Sequence, residues 1–192
     1  MKVSDTGETC TAGVVIGNVQ TARQRCENWC WAACIETIFS LHGYTVSQER
    51  VVKKVFGDKI PCVRAEAPEI IVGIGGMWSD EFGSRFNASA YRLPDTLLSR
   101  ANKPAPSNIK FLHEGDRKVI AELNQGNPLI VGALGHATVL TAIKYTRFMG
   151  YPLWLTEITV RDPWPDNPNR RLLNADEIAK SFFVAKVVVQ AA

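Results

Sequence analysis

The chain has little net charge, no long apolar run and only three histidines among its 192 residues. A net charge of +3, with no block of like charge, argues against nucleic acid or an anionic membrane surface as a partner. No apolar run approaches the roughly 18 residues that a membrane-spanning helix needs. The remaining composition, 46% hydrophobic and 21% charged, is that of an ordinary globular protein. The length predicts a single domain covering residues 1–192.

The N-terminus lacks the apolar core of a signal peptide. Three interpretations stay open: a cytosolic protein, a signal removed before this numbering, or export by another route. Only 23 residues precede Gln24. That is short for an inhibitory pro-segment, so we expect a mature or unregulated form.

The five cysteines are an odd number, so at least one is free if the others pair within the chain. Three of them recur at every fourth position, which at first suggests zinc. A structural zinc site usually needs a second ligand pair. The other two, Cys10 and Cys62, are far apart, and no His-x₃₋₅-His motif follows. We therefore expect neither a metal nor a cofactor.

The stretch 24–34 predicts a helix that carries a thiol in its first turn. Asn28 is a good N-cap residue, and the apolar residues that follow keep a helical spacing as far as Leu41, with Gly43 as the stop. The unpaired N–H groups and the dipole at a helix N-terminus favour an anion. Cys30 is therefore a candidate reactive thiolate. A buried structural thiol is the alternative reading at this point.

The order of the predicted elements is typical of an α+β fold. A helical half of about 20–106 begins with the helix near 29–41 and a second helix at 48–56, capped by Ser47 and ended by Gly57. From 58 to 106 we predict mainly substrate-shaping loops, with one short helix near 94–101. The half of about 107–192 is predicted to be antiparallel and rich in strands, with a capping box at Asn174 and Glu177. Its predicted strands cover 109–112, 129–134, 137–143, 155–160 and 183–189, its helices cover 116–125 and 174–181, and a further short strand is expected at 14–16.

A catalytic cysteine needs a base and a third group that orients the base. His42 and His113 stand at the ends of predicted elements and fit capping or loop roles. His136, in Gly-His-Ala at the start of an apolar strand, is the better candidate. Asp162 closes a later strand, and hairpin geometry would bring it within reach of His136. An aspartate before proline is, however, also a common turn residue.

Taken together, Gln24-x₅-Cys30-Trp31-Ala32, Gly135-His136-Ala137 and Asp162-x-Trp164 resemble the motifs of the papain-like cysteine peptidase superfamily. The Trp-Cys-Trp-Ala-Ala-Cys version is most similar to bacterial enzymes of the bacteriocin-processing and plant-pathogen effector types, which favours a secreted or translocated bacterial protein. The resemblance implies a papain-like fold, in which the nucleophile helix of the N-terminal half packs on an antiparallel β half.

The resemblance also implies a role for each matched residue. Cys30 would be the nucleophile, and His136 would form an ion pair with it and later protonate the leaving amine. Asp162, where papain itself has asparagine, would orient His136. The oxyanion hole would consist of the Gln24 side chain and the Cys30 backbone N–H.

Further positions follow from the same resemblance. Trp164 is expected to shelter the hydrogen bond between His136 and its orienting partner. Cys26 lies four residues before Cys30, one position further away than the disulfide cysteine of papain is from its nucleophile, and Cys62 is its suggested disulfide partner. Along the substrate cleft we expect Trp31, Gly75, Gly76 and Gly135.

The implied activity is hydrolysis of peptide or isopeptide amide bonds through an acyl-enzyme, with a protein or peptide as the substrate. The same residues serve deamidation, transglutamination and hydrolysis of peptidoglycan cross-links, and the sequence does not separate these reactions. An alternative from another class is a catalytically silent, protein-binding domain.

Overall fold

A computed structural model of the chain describes residues 8–14, 21–94, 96, 114–148 and 151–192. Within these ranges one antiparallel sheet of eight strands carries helices on both of its faces. The helices are α1 (Cys30–Leu41), α2 (Gln48–Phe56), α3 (Ala67–Ile74), α4 (Glu114–Asn124) and α5 (Ala175–Lys180). The strands are β1 (Glu8–Gly13), β2 (Gly76–Ser79), β3 (Arg85–Arg92), β4 (Leu129–Ala133), β5 (His136–Phe148), β6 (Tyr151–Arg161), β7 (Arg170–Leu172) and β8 (Ser181–Ala191). None of these helices is long and apolar enough to cross a membrane.

The strand order is β2-β3-β8-β4-β5-β6-β7, and every neighbouring pair is antiparallel. Strand β8 lies between β3 and β4, so the last strand of the chain joins the early hairpin to the later meander. Strand β5 has two partners along one edge. Strand β4 pairs with residues 136–140 of β5, and β1 pairs with residues 142–147.

Alternation along the central strands divides the core into two layers. On β8, Phe183 and Ala185 face the layer that contains α1, α2 and α3, whereas Val184 faces the layer that contains α4 and α5. This is the period of two expected for a strand whose two faces are both buried. In the first layer, Phe39 of α1 makes edge-to-face contacts with Trp78 and Phe86, at ring-centroid distances of 5.1 and 4.9 Å. These contacts anchor α1 against the sheet.

The predicted α+β class is confirmed, and several element boundaries agree closely with the sequence analysis. Helix α2 covers the predicted 48–56, with Ser47 at its N-cap and Gly57 at its C-cap. The capping box at α5 is present, because the Glu177 N–H donates to Asn174 Oδ1 and the Asn174 N–H donates to Glu177 Oε2, each at 2.9 Å. Strong local signals of this kind do not depend on distant contacts.

The prediction that Asn28 caps α1 was wrong. Trp29 occupies the N-cap position, and the helix begins at Cys30 itself. The Asn28 side chain instead donates to the Cys62 carbonyl at 3.2 Å and accepts a hydrogen bond from Arg64 Nε at 3.2 Å. A tertiary contact therefore outcompetes the local capping bond.

The prediction of loops through 58–106 was also wrong in part, because α3, β2 and β3 lie there. These elements are short, and glycine or polar residues interrupt their patterns. Near the N-terminus, the observed strand β1 precedes the predicted strand at 14–16, of which 15 and 16 lie outside the described residues. The predicted helix near 94–101 and the predicted strand at 109–112 also fall outside the described residues, apart from 94 and 96. Strand β7, only three residues long, was not predicted.

The β4–β5 hairpin fixes where His136 begins its strand. Ala133 pairs with His136, so Leu134 and Gly135 form a two-residue turn. Their φ values are +55° and +75°, the positive values that a type I′ hairpin turn requires at both positions. Glycine adopts this conformation freely, but for another L-residue it costs about 1–2 kcal/mol.

We predict that Leu134→Asn raises the free energy of unfolding by about 1 kcal/mol, because asparagine tolerates the left-handed conformation better than leucine. Urea denaturation with an unchanged m-value would measure the gain. Leu172→Asn is the matched control, since Leu172 is 51% exposed against 53% for Leu134 but lies in strand β7. The control should be neutral or destabilising. Equal effects of the two substitutions would contradict backbone strain at Leu134.

Candidate active site

Cys30 opens helix α1 and is 7% exposed. The segment 61–64 is held against the start of this helix. Trp29 Nε1 donates to the Pro61 carbonyl at 3.0 Å, and Trp31 Nε1 donates to the Val63 carbonyl at 3.3 Å. A disulfide joins Cys26 to Cys62, which confirms the expected pairing. Two hydrogen bonds and one disulfide thus hold the segment 61–64 against the helix end that carries the thiol.

The first residues of β5 meet this helix end. The Ala137 backbone N–H donates to Cys30 Sγ at 3.4 Å, so the thiol lies beside the residue that follows His136. The Nε2 atom of His136 is 2.7 Å from Asp162 Oδ1. The fold therefore brings together Cys30, His136 and Asp162, which are 106 and 26 residues apart along the chain.

Asp162 is fully buried, and both of its carboxylate oxygens are occupied. Oδ1 accepts hydrogen bonds from His136 and from the Trp164 backbone N–H, the latter at 2.8 Å. Oδ2 accepts from Asn167 Nδ2 at 2.9 Å and from Arg171 Nε at 2.6 Å. Burial by itself would raise the pKa of this carboxyl, but the hydrogen bonds and the nearby positive charges hold the pKa well below its usual range. Asp162 is therefore ionised at neutral pH.

His136 is charged at neutral pH for a related reason. Burial disfavours the imidazolium, but hydrogen bonds with Asp162 and Cys30, and the charges of both groups, outweigh it and raise the pKa of His136 to about 9. The Trp164 ring lies edge-on to the imidazole, with a ring-centroid distance of 6.4 Å. This position matches the sheltering role expected for Trp164.

Arg171 links Asp162 to a second carboxylate. Its Nη1 and Nη2 atoms lie 2.8 and 2.5 Å from the two carboxylate oxygens of Glu177, in a bidentate pair. The Arg171 side chain is 17% exposed and that of Glu177 is 11% exposed. The residue that follows β6, strand β7 and helix α5 thus meet in one ionic cluster.

Arg23 fixes the loop after β6 to the stretch that precedes α1. Its Nη1 atom contacts the carbonyl oxygens of Asp162, Trp164 and Asn167 at 3.1, 2.6 and 3.0 Å. The Gln24 backbone N–H also donates to the Pro163 carbonyl, at 2.9 Å. Asp162 and the loop that follows it are therefore tied directly to the stretch that leads into α1 and Cys30.

Gln24 is buried, and its side-chain amide is already in use. Nε2 donates to the carbonyls of Cys26 and Glu27, at 3.1 and 2.7 Å, and bridges the turn before α1. Its carbonyl oxygen Oε1 is buried with no hydrogen-bond partner among the described residues. The side chain does not line the cavities next to Cys30. A role in an oxyanion hole would thus require this amide to exchange its carbonyl partners for substrate.

Two cavities flank the thiol and the imidazole. The larger, of about 360 Å³, has polar and charged walls, to which Glu27, Asn28, Arg64, Asn167, Arg171 and Glu177 contribute. The smaller, of about 90 Å³, has a mostly apolar lining that includes Trp31, Ala67, Ile70, Phe182 and Phe183.

The predicted cleft residues divide between these cavities and other parts of the fold. Gly135 lines both cavities, and Trp31 lines the smaller one. Gly75 caps the end of α3 and Gly76 begins β2, and neither lines a cavity at Cys30. The structure therefore does not bring this glycine pair to Cys30.

The sequence analysis missed four residues that surround Asp162: Arg23, Asn167, Arg171 and Glu177. Glu177 was recognised only as a capping residue. A buried carboxylate must have hydrogen-bond partners, but nothing in one sequence says which arginine supplies them. In the part of the chain that the structure describes, no group of three or more His, Cys, Asp or Glu residues is arranged to hold a metal ion.

Comparison by sequence finds neither a matching family model nor a matching curated protein. Comparison by structure does find matches. UfSP from C. elegans matches over 99% of this chain with a TM-score of 0.58 and 15% sequence identity, and this chain spans 35% of the UfSP chain. A double glycine motif protease from an AMS/PCAT transporter, solved in complex with the leader peptide, matches over 94% of this chain and 98% of its own, with a TM-score of 0.46 and 14% identity. The likeness to UfSP supports the fold that the motifs predicted: the chain has a papain-like α+β fold.

Proposed function

We propose that the protein is a cysteine peptidase that hydrolyses peptide or isopeptide amide bonds through Cys30, His136 and Asp162. The observation that carries this proposal is the arrangement of the three side chains. A thiol at a helix N-terminus lies beside a histidine whose Nε2 is 2.7 Å from a fully buried carboxylate. This is the nucleophile, base and orienting group that covalent catalysis by a thiol requires.

In the first half of the reaction, the Cys30 thiolate attacks the carbonyl carbon of the substrate. A carbon–sulfur bond forms, and the carbonyl π electrons move to the oxygen. When the tetrahedral intermediate collapses, the carbonyl is restored and the carbon–nitrogen bond breaks. The departing amine takes a proton from His136, which is left neutral.

In the second half, water resolves the thioester. Neutral His136 removes a proton from the water as its oxygen attacks the thioester carbonyl. Collapse of the second intermediate expels the Cys30 thiolate and releases the carboxylic acid. Asp162 keeps the imidazole oriented throughout and stabilises its charged form, while its own buried environment stays fully hydrogen-bonded.

The negative oxygen of each intermediate needs hydrogen-bond donors, and each donor typically contributes about 10²–10³ in rate. The Cys30 backbone N–H at the start of α1 is one proposed donor. The Gln24 amide is the other, on condition that substrate draws it away from Cys26 and Glu27. The two cavities would take the substrate chain on either side of Cys30, with polar groups on the larger side and apolar groups on the smaller.

We expect iodoacetamide at neutral pH to modify Cys30 well before Cys34. Cys34 is fully buried one turn further along α1, and burial followed by the charges of Cys30 and Asp162 raises the pKa of its thiol. Mass spectrometry of time-resolved labelling would measure the two rates. Cys30→Ala should abolish turnover with little change in stability, whereas Cys34→Ala should mainly affect packing.

Equal labelling of the two thiols, or turnover that survives Cys30→Ala, would contradict the proposal. A profile of cleaved peptides, set against released ammonia, separates a peptidase from a deamidase or transglutaminase. Tight binding of a protein partner without any turnover would support the silent-domain alternative.

Turnover is predicted to fall as the pH rises through about 9. The pKa of His136 is raised above that of a free histidine, so the proton needed by the leaving amine is present at neutral pH and is lost through that range. The free energy of unfolding is expected to fall over the same range. The ion pair of His136 with Asp162 contributes fully below the pKa of an unfolded histidine and is lost as the pH rises to about 9. A pH profile of kcat/KM measures the first effect. Asp162→Asn should move the alkaline limb to lower pH, and an unmoved limb would exclude His136 as the acid.

Replacing Gln24 distinguishes its two roles. If the amide turns to stabilise the oxyanion, Gln24→Ala should lower kcat by about 10²-fold and leave the rate of Cys30 alkylation unchanged. If Gln24 only bridges the turn before α1, alkylation and thermal stability should change together with kcat. Thr37→Val removes another buried polar contact near this stretch, the bond from the Ala22 N–H, and serves as a control for loosening of the stretch itself.

A further inference from the structure

The buried chain of Asp162, Arg171 and Glu177 reaches beyond the three proposed catalytic side chains. Arg171 Nε contacts Asp162 Oδ2 at 2.6 Å, and the other two guanidinium nitrogens contact Glu177 at 2.8 and 2.5 Å. Glu177 is fixed in turn by its capping bond to the Asn174 N–H. None of the three side chains is more than 17% exposed.

The geometry of the Arg171 contact determines which carboxylate oxygen faces the histidine. Arg171 and Asn167 occupy Oδ2, and this leaves Oδ1 for His136 and for the Trp164 N–H. Rotation of the carboxylate would break a charge-assisted bond to a fully buried side chain. This arrangement needs a planar guanidinium, because its three nitrogens point in fixed directions. One of them donates to Asp162 while the other two donate to Glu177.

Glu177 has a separate electrostatic effect. Arg171 by itself would repel the imidazolium of His136 while it stabilises Asp162. With Glu177 bound to it, the three groups carry a net charge of −1, which matches the +1 of protonated His136. The pair thus holds Asp162 in place without opposing the charge on the histidine.

We propose that Arg171, bridged to Glu177, is a positioning residue that fixes Asp162 and through it the orientation and charge of His136. This inference rests on the proposed function for its catalytic meaning. Its structural content, the control of His136 by a residue on β7, is testable without any substrate.

Other charged or titratable groups also face this cluster and must be kept constant in a test. From α1, Cys30 acts on His136, and the charge of Asp162 helps to raise the pKa of the buried Cys34 thiol. Arg23 contacts the Asp162 backbone carbonyl, and Arg64 lines the same large cavity. The substitutions below leave all four unchanged.

The test is a pH titration of His136, monitored by NMR of protein labelled with ¹³C at histidine. The His136 signal is assigned by its absence from the spectrum of His136→Gln. In Arg171→Lys the charge is kept but the planar guanidinium is lost, and the pKa of His136 should fall by roughly one pH unit. Glu177→Gln should also lower the pKa of His136, because Arg171 then repels the imidazolium. At pH 8.5 the charged fraction of His136 should fall about threefold in Arg171→Lys, and Cys30 alkylation at that pH should slow with it, because the imidazolium stabilises the thiolate.

Arg170→Lys is the matched control. Arg170 precedes Arg171 on the same strand, is exposed, and pairs in register with Arg161 at the edge of the sheet. In Arg170→Lys, the pKa of His136 and the rate of Cys30 alkylation should equal those of the wild type. Thermal unfolding of each variant separates these effects from general destabilisation, and Arg171→Met, which leaves two buried carboxylates side by side, is expected to be the least stable.

The proposal is overturned if Arg171→Lys keeps the wild-type pKa of His136 and the wild-type rate of Cys30 alkylation, since a positive charge without the guanidinium geometry would then suffice. It is also overturned by a loss of stability in Arg171→Lys and Glu177→Gln with no movement of the His136 titration, which would give the pair a structural role only. If His136 responds as expected but no amide substrate is turned over, the positioning inference stands and the proposed peptidase function fails.

Discussion

The burial of one carboxylate is the constraint on which the rest of the site depends. Asp162 has no exposed surface, so each of its oxygens must find donors within the protein. Those donors come from the start of β5, the loop after β6 and strand β7, and Arg23 holds the backbone carbonyl of the same residue. The requirement to satisfy a single buried charge thus joins the N-terminal stretch, the sheet and the last helix at one point.

The sequence was most informative where local chemistry and short motifs coincide. The helix that carries Cys30, the capping box at Asn174 and the strand that begins at His136 all leave signals within a few residues, and the structure contains all three elements. The proposed nucleophile, base and orienting residue could be named because their motifs occur in a characteristic order. Their chemical roles stay predictions, since arrangement by itself does not measure reactivity.

The sequence was least informative where a side chain chooses between local and distant partners. Asn28 gives up a helix cap for contacts with Cys62 and Arg64, 34 and 36 residues away. Arg23 contacts carbonyls at least 139 residues away. Gln24 is predicted to donate to an oxyanion, yet its amide donates to the backbone carbonyls of Cys26 and Glu27. Such choices depend on which groups the completed fold leaves unsatisfied, and no pattern in a single sequence encodes them.

The Cys26–Cys62 bridge gives this chain two sulfur requirements that conflict. The proposed mechanism needs Cys30 as a free thiol, while the segment beside it is covalently tethered through a residue only four positions earlier. If the bridge were reduced, hydrogen bonds from Trp29, Trp31 and Asn28 would still hold the segment 61–64 beside Cys30. Under the proposed mechanism, the redox poise of the surroundings therefore acts on the tether beside the cavities as well as on the thiol itself.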